Sequence, residues 1–216
     1  PTILSRCQIF DFNRIQVKDM SLHLNSIAEK EEIKVEDEAL HLIAQKADGA
    51  LRDALSLFDL MVTYSADRHL TYENVIKNLH ILDYDYYFSM CTNLLQQNIA
   101  DTMLTLDDIL KKGFDGHNFI LGLSEHFRNL LVCKDQKTVR LLEVSDSVKK
   151  KYLEQSQNAS HSFLLSALNI ANKCDLNYKA SKNQRLHLEL TLMKMAHIPA
   201  AMNLYQTMED LKKKVS

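Results

Sequence analysis

Proline is missing from the whole interior of this 216-residue chain: one stands at Pro1, the other at Pro199, and none lies between. Proline removes an amide donor and clashes with the preceding helical turn, so a run this long without it fits helices joined by short turns. Only four glycines interrupt the run. Hydrophobic residues make up 46% of the chain, enough for a well-buried core and too many for a disordered segment. The length accommodates one large domain or two small ones.

Apolar spacing agrees with helices. Val17, Met20, Leu24, Ile27 and Ala28 recur at three and four residues and make one stripe. A second stripe runs through Leu40, Ile43, Ala44 and Ala47 and stops at Gly49, where a glycine just past a helix predicts a left-handed cap. A third helix follows, with Leu51, Ala54, Leu55, Phe58 and Met61 or Val62 inward. Thr71 is placed to cap a short fourth helix carrying Val75, Ile76 and Leu79. Such a bundle of roughly sixty residues is small for independent stability. Leu82-Asp83 reads as a boundary, with Asp83 a cap. Beyond it, helices are predicted from Tyr84 to about Gln97, Ala100 to Lys112, Asp115 to Cys133, Ser147 to Gln155, Ser160 to Cys174 and Asn183 to His197. Pro199 interrupts, and Met202 to Lys214 forms a tail helix or the start of a linker. One stretch departs from this pattern. Gln8-Ile9-Phe10-Asp11-Phe12 alternates polar and apolar, the period of a strand, and a lone strand needs partners. The expectation is an all-α chain of two units divided near residue 80, with a short strand remnant at its N-terminus.

Charge and composition narrow the function. A net charge of −2 gives no basic field for wrapping nucleic acid. Cys7, Cys91, Cys133 and Cys174 are too scattered for a CxxC pair and read as small apolar core residues in a reducing compartment. No apolar run is long enough to span a membrane, and no signal peptide is visible. The chain opens on Pro-Thr-Ile-Leu without Met, which reads as a piece of a longer cytoplasmic protein. The nine histidines include no HExxH; His117, His126, His187 and His197 lack metal spacing and read as surface or capping residues, so no metal site is expected. Glu29, Glu31 and Glu32, and Lys149 to Lys151, read as solvated helix faces. Tyr84, Tyr86, Tyr87 and Phe88 read as packing of the second unit's first helix rather than as a subunit contact.

Two phrases carry chemistry. Ile3-Leu4-Ser5-Arg6-Cys7 precedes the strand remnant. Gly49-Ala50-Leu51-Arg52-Asp53-Ala54-Leu55-Ser56 opens the third helix. Arg52 falls in a first turn, where the helix dipole disfavours a cation. A guanidinium beside unpaired N–H groups makes an anion site, for a phosphate for example. The plainer alternative is an ion pair with Asp48 or Asp53.

Together the two phrases resemble those of the clamp-loader ATPases, with the best fit to the gamma/tau subunits of bacterial DNA polymerase III. Leu82-Asp83-Tyr84-Asp85 resembles that family's domain junction, and the stretch from Arg185 to Met195 its last collar helix. The resemblance implies residues 1–15 as the end of an AAA+ ATPase core, 16–79 as the AAA+ helical lid, 80–200 as the collar that holds subunits in a ring, and 201–216 as tail. It implies Arg6 as an arginine finger reaching the ATP site of the next subunit, and Arg52 as the sensor-2 arginine for ATP on its own subunit. Thr2 aligns with the polar sensor 1, while Ser5, Cys7, Gly49 and Asp53 support the motifs. A planar, permanently charged fork suits a γ-phosphate whose charge spreads over its equatorial oxygens. No GxxxxGK[ST] occurs, so the expectation is an ATPase subunit that uses ATP and Mg²⁺ at full length, while this piece alone is no enzyme and needs no cofactor. Implied partners are other clamp-loader subunits (gamma/tau, delta and delta prime) through the collar, and the sliding clamp and primed DNA through the missing core, with no membrane. Two alternatives stand: a delta prime-type subunit that donates a finger without binding nucleotide, and an unrelated all-α interaction scaffold. A phosphate sensor at Arg52 favours gamma/tau over delta prime.

Overall fold

The computed structural model describes residues 13–65, 67–79 and 81–203. The chain divides into two compact units, one ending at Ile81 and the other beginning at Leu82.

The first unit contains α1 (Val17–Lys30), α2 (Asp37–Lys46), α3 (Leu51–Tyr64) and α4 (Tyr72–Leu79). The apolar stripes explain the packing: Met20, Leu24 and Ala28 of α1 meet Leu40 and Ile43 of α2, Phe58 and Met61 of α3, and Val75 of α4, all buried. Each large side chain so buried stabilises by roughly 1.5–3 kcal/mol. A parallel pair of two-residue strands, β1 (Lys34–Val35) and β2 (His69–Leu70), joins the loops, with Lys34 opposite His69 and Val35 opposite Leu70. Two residues are too few to show a period, so this pair is invisible in the sequence. The Glu36 carboxylate accepts the Tyr72 amide at 2.7 Å and the Thr71 hydroxyl accepts the Asn74 amide at 3.2 Å, so α4 begins with satisfied donors.

The second unit contains α5 (Tyr84–Leu95), α6 (Ile99–Lys111), α7 (Gly116–Val132), a 3-10 turn at Val139–Leu141, α8 (Asp146–Asn158), α9 (His161–Tyr178) and α10 (Gln184–Ala196). Helix α7 is its axis. Phe119, Ile120, Leu123, Phe127 and Leu130 are all buried, and α7 packs along α9 and against α5, α8 and α10. Tyr87 of α5 lies over α7, its ring stacked 6.1 Å from Phe119. A Cβ at Gly122 would fall 2.1 Å from the Tyr87 hydroxyl, so the end of the Tyr87 ring occupies the space that a larger residue at 122 would need. Tyr84, Tyr86, Tyr87 and Phe88 are half-buried against the core of the second unit, which agrees with packing at the head of α5. Helix α9 runs four residues past the expected Cys174, because Tyr178 is itself buried and stacks on His117 at 5.1 Å. After a break at His197, residues 198–203 are helical again, with Pro199 in the first turn, where its missing amide costs nothing. The predicted strand Gln8–Phe12 and the rest of the expected tail helix to Lys214 lie outside the described residues.

Candidate functional site

Helix α3 starts without help from a side chain. Ala50, extended at φ −96° and ψ 102°, occupies the capping position and has nothing to offer the helix amides beyond its carbonyl, which accepts from Asp53 and Ala54 at 3.1 Å each. Among the described residues, no acceptor meets the amides of Leu51 and Arg52. The dipole of a 14-residue helix adds a partial positive charge at this end.

Arg52 stands in that first turn and is exposed. Its guanidinium makes no ion pair or hydrogen bond among the described residues. The local pairing with Asp48 or Asp53 is absent: the Asp48 carboxylate is taken by Arg14. Asp53 occupies the third helical position, where a negative charge is favourable to the dipole. The same face continues through Ser56, Leu60 and Tyr64 at four-residue steps, and all three are exposed, Tyr64 by 60%. A cation beside two open amides is an arrangement that can bind an anion.

Before α3 the chain makes a tight left-handed turn, with Asp48 at φ 47° and Gly49 at φ 83°. Gly49 is thus left-handed as predicted, but α2 ends earlier, at Lys46, and Asp48 shares the strained conformation. Glycine is required at residue 49 for a second reason: a Cβ there would lie 2.6 Å from Cβ of Arg14. Arg14 has no periodicity or motif to advertise it, and the sequence does not single it out.

Of the residues predicted to carry chemistry, Gly49, Arg52 and Asp53 come together at this helix end. Thr2, Ser5, Arg6 and Cys7 lie outside the described residues. The remaining cysteines are buried, and burial pushes their thiols up, that of Cys91 to about 12, which makes them inert packing groups.

One histidine expectation is corrected. His126 is neither surface nor cap: it is 1% exposed, deep in the second unit. Its Nδ1 lies 3.1 Å from the Tyr152 hydroxyl and its Nε2 2.8 Å from Oε1 of Gln155. The amide oxygen only accepts, so Nε2 carries the proton and Nδ1 accepts from Tyr152. The amide nitrogen of Gln155 donates to the Phe88 carbonyl at 2.8 Å and the Thr92 hydroxyl at 3.0 Å, which closes a network joining α5, α7 and α8. Burial holds the His126 pKa down at about 4. Apolar neighbours on α7 hid this residue from periodicity reasoning, which cannot tell a satisfied core imidazole from an exposed one. Half-buried His117 binds Asp175 at 2.5 Å. Among the described residues, no group of three or more His, Cys, Asp or Glu is placed to hold a metal ion.

Known proteins resemble this chain along most of its length. A family model described as the ATPase lid domain of the DNA polymerase III clamp loader subunit matches residues 19–67. A second, described as domain III of DNA polymerase III subunits gamma and tau, matches residues 70–211. The DNA polymerase III subunit tau of Bacillus subtilis is 30% identical over 90% of the chain, and the gamma/tau subunit of Mycoplasma genitalium 33% identical over 77%. The chain spans 34% and 28% of those two relatives' lengths. Among solved structures, a DNA clamp loader delta protein of Bacillus subtilis shares the fold, with a TM-score of 0.51 at 18% identity, covering 90% of this chain and 61% of its own.

Proposed function

Because the chain belongs to the DNA polymerase III gamma and tau family, we propose that its first unit reads the phosphates of a nucleotide and that its second holds clamp-loader subunits together. The observation that carries the first half is Arg52: an exposed guanidinium without a protein partner among the described residues, on a helix whose own amides are left open. An ion pair is easy to form at a surface and contributes little, so an arginine left unpaired beside two acidic residues is consistent with service to an outside anion. Charge-assisted hydrogen bonds to phosphate are worth about 1.5–3 kcal/mol each.

In this reading the full-length chain is an ATPase subunit whose core precedes the lid and carries the P-loop and the Mg²⁺ ligands. What the described residues offer to that division is donors for phosphate at the start of α3. ATP supplies the energy; Arg52 senses it in its own subunit, and Arg6 completes the site of the next subunit as the finger, with Thr2 as the polar sensor and Ser5 and Cys7 shaping the Arg6 motif. Rotation of the lid against the core, passed through a collar of residues 80–200, opens a sliding clamp and loads it onto primed DNA in the cytoplasm. Ring partners are other gamma/tau, delta and delta prime subunits.

Two substitutions in the full-length chain test this. Arg52→Ala weakens ATP binding by about tenfold or more, the loss of one charged phosphate contact. Arg6→Lys leaves binding near the parental level and removes most stimulated hydrolysis in the assembled ring, by a factor on the order of 10³. Parental ATP affinity in Arg52→Ala would remove the sensor; parental hydrolysis in Arg6→Lys would remove the finger.

A further inference from the structure

The segment that leads into the lid is fastened to the turn from which Arg52 springs. Three contacts do this. The guanidinium of Arg14 pairs with the Asp48 carboxylate, and its Nη1 donates to the Asp48 carbonyl at 3.2 Å. The Ile15 amide donates to the Gly49 carbonyl at 3.2 Å. The stem of Arg14 fills the space above Gly49, where an added Cβ would meet its Cβ at 2.6 Å and its Cγ at 3.0 Å. Residues 14 and 15 therefore form a strap over residues 48 and 49, two residues before α3 begins.

The strap bears on Arg52 in two ways. It holds a turn in which Asp48, a residue with a Cβ, sits at φ 47°, a conformation that costs energy and needs outside support. It also occupies the Asp48 carboxylate, the acid that ends the turn four residues before Arg52 and would otherwise be a candidate to neutralise it. We propose that Arg14 is a positioning residue for Arg52: by clamping the Asp48-Gly49 turn, it aims the first turn of α3 and keeps the sensor's charge free. This rests on the reading of Arg52 as a phosphate sensor. Arg14 and Asp48 are both largely exposed, 74% and 78% by side chain, so the pair adds little to the stability of the lid itself. Its removal should be read in ligand binding rather than in melting.

The experiment is a double-mutant cycle on ATP affinity in the full-length chain, with a fluorescent ATP analogue as probe and Arg14→Ala, Arg52→Ala and the pair compared with the parent. A residue that acts only through Arg52 has nothing left to contribute once Arg52 is gone. Arg14→Ala alone is expected to weaken binding by about three- to fivefold, the scale of one exposed pair. The double variant is expected to match Arg52→Ala alone. Parental affinity in Arg14→Ala overturns the inference, and so does a double variant weaker than Arg52→Ala by the full factor of Arg14→Ala; both outcomes leave the sensor standing. If Arg52→Ala itself binds ATP like the parent, the sensor reading fails and Arg14 loses its role with it.

Discussion

The two units differ in how their helices begin. Each helix from α5 to α10 in the second unit opens with a side chain that accepts a first-turn amide: Asp83, Asn98, Asp115, Ser145, Ser160 and Asn183. In the first unit α1, α2 and α3 begin at Gln16, Glu36 and Ala50 with no side-chain cap, and only α4 has one, from Thr71. Non-glycine residues in left-handed backbone are also concentrated there, at Glu32, Asp48 and Arg68, against Gln97 alone among the described residues of the second unit. A cap contributes about 1 kcal/mol, and strain of this kind costs of order 1–3 kcal/mol. The second unit has the larger buried cluster and closes its own helix ends. The first gives up local stability, and at α3 it leaves two amides without an acceptor beside an arginine without a partner, among the described residues. Closed helix ends and an open one thus fall in different parts of one chain.

The contrast can be broken most forcefully at the second unit's core. Phe127, fully buried and edge-on to Phe163 at 6.1 Å, should cost about 3–5 kcal/mol as Phe127→Ala. Hydrogen exchange resolved by unit should show that loss beyond Leu82 and leave α1 to α4 as protected as before. Equal loss in both would mean that the two are one cooperative body.

Acid is the next largest perturbation. Buried neutral His126 titrates near 4 against 6.5 for an ordinary histidine, so between those values the unfolded chain binds the extra proton. Stability of the second unit is therefore intact above about 6.5 and falls as pH drops towards about 4, by on the order of 3 kcal/mol in total. Urea denaturation across that window measures it, and His126→Phe should remove most of the slope; an unchanged slope would place the acid sensitivity elsewhere.

Capping can be exchanged between the units. Ser160→Ala should destabilise the second unit by about 1 kcal/mol. Ala50→Ser should do the reverse in the first, stabilising α3 by up to about 1 kcal/mol, because residue 50 already has extended backbone. It should also weaken ATP binding in the full-length chain, since the new hydroxyl competes for the amides. A more stable lid with undiminished affinity would show that those amides are not used.

Arg52→Ala is the smallest change in stability, within about 0.5 kcal/mol by chemical denaturation, since the side chain is exposed and without a partner among the described residues. A larger cost would mean that Arg52 has a structural task within the lid.

Much of this was legible in the residues. The sequence located α1 to α10, and Thr71, Asp83, Asp115, Ser160 and Asn183 stand within a residue of the starts, because a capping side chain acts on an amide two or three positions away; the 3-10 turn at Val139–Leu141 and the helical residues 198–201, where Pro199 was expected to interrupt, were not located. Arg52 at an exposed helix start was legible for the same reason. Ends were less so: α9 continues to Tyr178 because that ring packs on His117, sixty-one positions earlier. His126 was misjudged because its partners, Tyr152 and Gln155, belong to another helix.

By itself, then, the sequence determined the local events: which segments coil, where they start, which face of each is apolar, and which phrases belong to the gamma and tau family. Only the tertiary structure decided which polar groups found partners. Asp48 could have paired with Arg52 and instead holds Arg14, thirty-four residues away. Helix signals are written over neighbouring residues, whereas the choice of an ion's partner depends on which distant side chain the fold brings within reach, and no periodicity records that distance.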